Sequence, residues 1–231
     1  LLPKINIAID GHSSCGKGTL AKNIAKELDY IFVDSGAMYR AVTLYLMQHD
    51  IPLEEVAEDP ALLGNIKISF EYEPEREYYE TYLNGVNVEK EIRGMHVSRN
   101  VSPVSAIKEV RDFLVAKQKE IGQAKGVVMD GRDIGTVVYP DAELKIFMTA
   151  SPEIRAKRRY LELEKKGINV NYQEVLHNIR ERDHIDSTRA ESPLIKAEDA
   201  ITLDNSAMSK EVQAKLALKW AKGVIASLAQ V

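Results

Sequence analysis

Residues 5–19 read Ile5-Asn6-Ile7-Ala8-Ile9-Asp10-Gly11-His12-Ser13-Ser14-Cys15-Gly16-Lys17-Gly18-Thr19, and this stretch decides the fold. Ile5 to Ile9 is a short apolar, β-branched run of strand length. It breaks into Gly11-x-x-x-x-Gly16-Lys17-Gly18-Thr19, after which Leu20, Ile24 and Leu28 recur at helical spacing. Strand, glycine loop and helix together form the context of a phosphate-binding P-loop. Glycines let successive backbone N–H groups turn inward and cradle an anion. The following helix aims its positive N-terminal dipole at the same point. Lys17 adds a full charge that can reach the outer phosphates. The hydroxyl that would hold magnesium comes not directly after the lysine but one position later, at Thr19. A bare glycine turn before a helix would share the spacing. The lysine, both glycines and the flanking elements instead agree on a nucleotide.

Working outward, the 231-residue chain is 45% hydrophobic and 29% charged, ordinary for a soluble globular protein. Its net charge of -4 argues against a general polyanion binder, so no nucleic-acid polymer is expected as a partner. Phosphate chemistry must then rest on locally clustered arginines. The single cysteine, Cys15, excludes an internal disulfide framework and suits a reducing compartment. Its place in the loop, near a lysine and a helix start, suggests a reactive thiol. No apolar run approaches membrane-spanning length and no signal peptide precedes the first strand. A cytoplasmic, monomeric protein without a membrane partner is expected.

A second strand, Tyr30 to Val33, runs into Asp34-Ser35-Gly36-Ala37-Met38-Tyr39-Arg40 and a helix. Ser35 and Arg40 at the carboxyl end of a parallel strand would lie near a ligand crevice. A helix cap beside an exposed arginine reads equally well from the spacing. From Ile66 to Val88 the pattern alternates, and Asn84-Gly85 is a hairpin turn, so a small antiparallel insert is expected. Tyr72, Tyr78, Tyr79 and Tyr82 suit cross-strand packing pairs better than a stacking platform. A helical region follows over Ser98 to Ile121, with Val104, Ile107, Val110, Leu114 and Ile121 on its apolar face. A third strand, Gly126 to Met129, ends in Asp130-Gly131-Arg132-Asp133, and a fourth runs from Leu144 to Met148. Ser151-Pro152 caps a helix carrying Arg155, Arg158 and Arg159 on one face, with Glu162 and Glu164 mixing the sign. Asn171-x-x-Glu174 opens another helix, along which Arg182, Asp186 and Arg189 share a face if the helix persists. Ala200 to Leu203 is the last strand, before a helix capped by Ser209.

Strands alternating with helices predict an α/β fold: a five-stranded parallel sheet covered by helices on both faces. The expected organisation is a single domain over residues 1–231, built around the P-loop. A small antiparallel β insert at about 64–96 and the arginine-bearing helix at about 152–168 are appendages to it. Val127 to Asp130 resembles a Walker B strand, whose terminal acid can orient metal-bound water. A turn-forming Asp-Gly is the competing reading. No His or Glu sits in a nucleophile-activating motif. A hydroxyl acceptor needs a base, whereas a phosphate monoester is mostly dianionic at neutral pH and needs only relief of repulsion between two anions. Arginines, a lysine and magnesium meet that need.

The G-K-G-T loop resembles that of nucleoside monophosphate kinases. GHSSCGKGT, DSGAMYR, DGRDIGTVV and ERD-x-x-DSTRAESPL together resemble the bacterial cytidylate kinase family over nearly the whole chain. The resemblance implies a single P-loop kinase domain that transfers a phosphoryl group from ATP, with Mg2+, to CMP or dCMP, with the β insert binding nucleotide and the helix at about 152–168 forming a mobile lid. It implies that Gly11, His12, Ser13, Ser14, Cys15, Gly16, Lys17, Gly18 and Thr19 bind ATP, with Arg132 and the lid arginines Arg155, Arg158 and Arg159 closing over it. Ser35, Tyr39 and Arg40 would hold the CMP end of the site, with Arg40 on its phosphate. Ser102, Arg111 and Asp133 would face the cytosine, with Arg182 and Asp186 on the ribose. Lys17, Asp130, Arg132, Arg158 and Arg189 would serve the transfer itself, and Thr19 and Asp130 the metal, in part through water. The family often carries glycine or alanine where this loop has Ser14 and Cys15. The alternatives are a P-loop kinase for UMP, AMP or shikimate, or a GTP switch. The switch needs an N-K-x-D stretch, which Asp204-Asn205-Ser206 does not supply.

Overall fold

The structure is a computed structural model that describes residues 2–73 and 78–230. Its strands are β1 (Asn6–Gly11), β2 (Ile31–Asp34), β3 (Ile68–Glu73), β4 (Tyr78–Leu83), β5 (Val86–Asn87), β6 (Val127–Gly131), β7 (Leu144–Thr149) and β8 (Ile201–Asp204). Its α-helices are α1 (Lys17–Leu28), α2 (Ser35–Gln48), α3 (Leu53–Glu58), α4 (Met95–Ala106), α5 (Lys108–Ile121), α6 (Pro152–Lys165), α7 (Tyr172–Thr188) and α8 (Lys210–Leu228). The chain divides into two compact units, Leu1–Val33 with Gly122–Val231, and Asp34–Ile121.

The first unit is built on a five-stranded parallel sheet in the order β2-β6-β1-β7-β8. All six residues of β1 are buried, as expected of a central strand covered on both faces. Ile7, Ile9, Val128, Ile146 and Met148 pack with Leu20 and Ile24 of α1 and with Ala217, Ala221 and Ile225 of α8. The register sets the site: Ile9 lies opposite Asp130 and Gly11 opposite Met148. The acid at the tip of β6 and the glycine that opens the loop therefore lie at one edge of the sheet. Gly11 is required there. A Cβ would sit 2.1 Å from the Met148 carbonyl oxygen, at a φ of +147°.

The second unit contains α2 to α5 and a three-stranded antiparallel sheet in the order β3-β4-β5. Asn84 and Gly85 both have positive φ, as a two-residue type I′ hairpin demands. Tyr72 lies opposite Tyr79 with ring centroids 5.4 Å apart, edge to face, so this pair packs across strands. Tyr82 donates its hydroxyl to Glu73 at 3.1 Å. The Tyr78 side chain lies outside the described residues.

Two expected helices end differently. The run from Ser98 to Ile121 is two helices, broken at Ile107, whose ψ of 124° is extended. Side chains take the carbonyls of the final turn of α4: Ser105 Oγ donates to Ser102 O at 2.8 Å and Arg111 Nη1 to Ser105 O at 3.1 Å. The apolar periodicity runs straight across this break, so it could not report it. Helix α7 stops at Thr188, and Arg189 is extended with a ψ of 145°. Arg189 thus leaves the helical face shared by Arg182 and Asp186.

Candidate active site

The loop between β1 and α1 is held by its carbonyls. Lys17 Nζ donates to Gly11 O at 2.7 Å and to His12 O at 2.8 Å. Arg155 Nη1 donates to Ser13 O at 3.2 Å, and Asn205 Nδ2 to Cys15 O at 2.6 Å. A trans peptide plane is rigid, so a carbonyl fixed one way points the next residue's N–H the other way. Donors on the carbonyl side thus set the direction of the His12, Ser13, Ser14 and Gly16 N–H groups. This is how a short loop keeps an anion cradle. Gly16 has a φ of +96°, a conformation that favours glycine.

Lys17 is buried, and burial pushes its ammonium below the ordinary lysine pKa. Arg132 pushes it further the same way, while Cys15, Asp130 and Asp10 oppose the shift. Arg132 Nε donates to Asp186 Oδ2 at 2.7 Å. Burial would raise the Asp186 carboxyl, but Arg132, Arg182 and Arg189 hold it below its usual value. Arg189 also donates through Nε and Nη2 to Ser192 O at 3.0 and 2.7 Å. The structure therefore gathers Lys17, Asp130, Arg132, Arg182, Asp186 and Arg189 into one electrostatic neighbourhood within the first unit.

Asp10 accepts from the N–H groups of Ile134 and Gly135 at 2.8 and 2.7 Å. It thereby holds the π-turn of Ile134–Val138 that follows β6. Asp133 stands at the N-cap of that turn, is buried, and makes no side-chain cap bond to it. Its carboxylate is not what closes the turn.

The three arginines of α6 have three different partners. Arg155 is 2% exposed and grips Asp183 through both Nη atoms, at 2.9 and 2.5 Å, and also donates to Ala150 O. Asp183 lies 3.2 Å from His12 Nδ1. Arg158 is docked on Asn205. Arg159 pairs with Glu162 at 3.0 Å. Ser14 and Gly18 are half-buried and Thr19 is exposed, whereas Cys15 is fully buried against the core of α1 and α8. Burial of the thiol counters the expectation of a reactive cysteine, because a reagent cannot reach it in the folded loop.

In the second unit, Asp34 caps α2 by accepting from Ala37 N at 2.8 Å. It also takes Arg40 at 3.1 Å and Arg93 at 2.8 Å, and Arg93 pairs with Glu89 at 2.7 Å. Burial would raise the Asp34 carboxyl, but Arg93 and Arg40 hold it well below the usual carboxylate range. Ser35, Ser102 and Arg111 are buried, and the Arg111 guanidinium lies over the Tyr39 ring at 5.5 Å. Asp10, Asp34, Arg93, Asp183 and Asn205 were not singled out from the sequence. Only Asp34 left a signal, as an aspartate one residue before a helix.

The donor set also fits Mg2+. Among the described residues no three His, Cys, Asp or Glu side chains gather as a metal cage. A magnesium ion carried by phosphates needs only one or two protein oxygens and keeps several waters. The Thr19 hydroxyl and the Asp130 carboxylate, flanking the loop, are of that kind.

The parallel sheet, the glycine loop at the end of β1 and the arginine-bearing α6 define a P-loop kinase fold. A gluconokinase from Sinorhizobium meliloti shares it at a TM-score of 0.50 and 16% identity, over 98% of this chain and 94% of that one. The family model for cytidylate kinase matches residues 7–222. A cytidylate kinase from Parabacteroides distasonis is 61% identical over 92% of this chain and 94% of its own length. Another from Flavobacterium psychrophilum is 55% identical over 94% and 97%. The chain belongs to the cytidylate kinase family.

Proposed function

We propose that this protein transfers the γ-phosphoryl group of ATP to CMP or dCMP, giving ADP and CDP or dCDP. The observation that carries this reading is the family match, which spans both compact units from residue 7 to residue 222. The site chemistry agrees. Its cations are many, and the acceptor is a dianion that needs charge cancellation more than a base.

In this reading the loop N–H groups and Lys17 bind the ATP phosphates, and Arg158 and Arg159 approach them from α6. Arg155 serves through the loop it holds. Arg132 and Arg189 cancel charge on the phosphoryl group in flight. Arg40 takes the CMP phosphate with Ser35 and Tyr39 beside it. Arg182 and Asp186 serve the ribose. Thr19 and Asp130 would hold Mg2+ in part through water, and the bound ion would neutralise charge on the outer phosphates. Ser102, Arg111 and Asp133 read the base. Cytosine offers an amino donor where uracil offers a carbonyl acceptor, so a carboxylate favours the first. We read the protein as a cytoplasmic monomer; separately, no described helix is long and apolar enough to cross a membrane.

A panel of acceptors in a coupled ADP-release assay tests this reading, run on wild type and on Asp133→Asn. Wild type should favour CMP and dCMP over UMP and AMP. Asp133→Asn should lower kcat/KM for CMP and narrow the CMP-to-UMP ratio by about tenfold. Preference for UMP, AMP or shikimate in wild type would overturn the acceptor assignment. An unchanged ratio in an active variant would move base reading to another residue.

A further inference from the structure

Asn205 follows β8 and is 1% exposed, with its main-chain N–H on Thr149 O at 3.0 Å. Its side chain faces two ways. Nδ2 donates to Cys15 O at 2.6 Å and to Gln213 Oε1 at 3.0 Å. Oδ1 accepts from Arg158 Nη1 at 2.9 Å, and the Asn205 main-chain oxygen accepts from Nη2 at 2.8 Å. The amide orientation follows from its partners. A carbonyl only accepts and a guanidinium only donates, so a flipped amide would oppose like groups on both sides. Gln213 is itself oriented, with Nε2 on Met208 O at 3.0 Å.

One amide therefore does two things at the loop. By pinning the Cys15 carbonyl it turns the Gly16 N–H away from itself, through the rigid peptide plane. By accepting from Arg158 it holds, in the free protein, the same arginine that the proposed reaction brings to ATP. Resting on the P-loop reading, we propose that Asn205 is a positioning residue for the phosphate-donor nucleotide, fixing a cradle N–H and the docked state of Arg158 without touching ATP itself.

Asn205→Asp keeps the side-chain shape and an acceptor for Arg158, but sets a carboxylate oxygen against the Cys15 carbonyl. The expected result is a rise of about tenfold in KM for ATP, and in the ATP dissociation constant measured calorimetrically without acceptor. KM for CMP should stay within about twofold. Gln213→Met is the second variant. It keeps the bulk, removes an acceptor that orients the Asn205 amide, and leaves the loop untouched. It should raise KM for ATP by about threefold, again leaving CMP unmoved. Unchanged ATP affinity in both folded variants would overturn the proposal. So would a parallel rise in both KM values with a lowered melting temperature, the mark of a structural role alone. If Asn205→Asp does not fold, Gln213→Met decides by the same split. Wild-type ATP binding, measured alongside, tests the parent P-loop reading separately.

Discussion

The P-loop of the first unit and the Asp34 cluster of the second use their cations differently, although Asp186 of the first unit gathers arginines as Asp34 does. In the first, Lys17 and Arg155, with the Asn205 amide, donate to main-chain carbonyls of one loop. In the second, Arg40 and Arg93 converge on the side chain of one carboxylate, Asp34. A loop shaped through its backbone depends little on which side chains it carries, apart from its glycines. A carboxylate that gathers two arginines depends wholly on its charge. The first arrangement predisposes N–H groups toward an anion. The second stores two guanidinium groups that a phosphate could draw away.

Lys17 carries the largest expected effect. Lys17→Met keeps the buried stem and removes the charge. Its bonds to Gly11 O and His12 O are modest structural contributions, so the fold should survive with a loss of about 1–2 kcal/mol. Catalysis should lose on the order of 3–5 kcal/mol of transition-state stabilisation, several hundred-fold or more in kcat. Near-normal turnover by the folded variant in a coupled assay would mean that the loop is a structural turn.

Asp34→Asn is the matching test in the second unit. The amide can still accept from Ala37, but Arg40 and Arg93 lose their shared counter-charge. Removing one partner of a buried ion pair leaves charge uncompensated, so urea unfolding should report a loss of about 3 kcal/mol. KM for CMP should rise by about tenfold as Arg40 loses its orientation, with KM for ATP unmoved. The pH dependence has a definite sign. The folded carboxyl is depressed, so its stabilisation is present above the unfolded pKa, near 4, and is lost as pH falls through the lower folded value. The variant should therefore show a flatter acid limb than wild type below about pH 4. Equal acid limbs and an unchanged KM for CMP would reduce Asp34 to a helix cap.

The contrast between the units also explains what the sequence could reveal. The P-loop is written in consecutive residues, with glycine spacing and flanking periodicities, so its strand, turn and helix were legible. The β4–β5 turn was legible because Asn84-Gly85 demands one geometry. The supports were not. Arg93 reaches Asp34 across 59 positions and Asn205 reaches Cys15 across 190, and no local pattern encodes either pairing. The break at Ile107 was hidden because Val104, Val110 and Leu114 keep one apolar rhythm on both sides of it. The arginines of α6 were legible as a shared face, and Glu162 as a nearby counter-charge three residues from Arg159, but the distant partners Asp183 and Asn205 were not.

Asp10 and Asp34 are both buried aspartates, yet their carboxyls shift in opposite directions. Burial raises the Asp10 carboxyl to about 6, the N–H groups of Gly135 and Ile134 lowering it only in part. Asp133 adds to the rise and Lys17 opposes it. A raised folded pKa means that the folded state binds this proton more tightly than the unfolded chain does. The ionised group thus carries a penalty that is absent below about pH 4, sets in between about 4 and 6, and is complete above. Acidifying from pH 7 to pH 5 should therefore add about 1 kcal/mol of stability from Asp10. Asp34 stays ionised in both states over that window and should contribute nothing to the change. Urea unfolding at the two pH values separates the two groups. Asp10→Asn sets an amide N–H against a backbone N–H, so its absolute stability is a poor readout, but its pH gradient is a clean one. That gradient should fall short of the wild-type gradient by about 1 kcal/mol, while Asp34→Asn keeps the wild-type value. An Asp10→Asn gradient equal to wild type would show that burial does not shift Asp10 and that it titrates as an ordinary carboxylate.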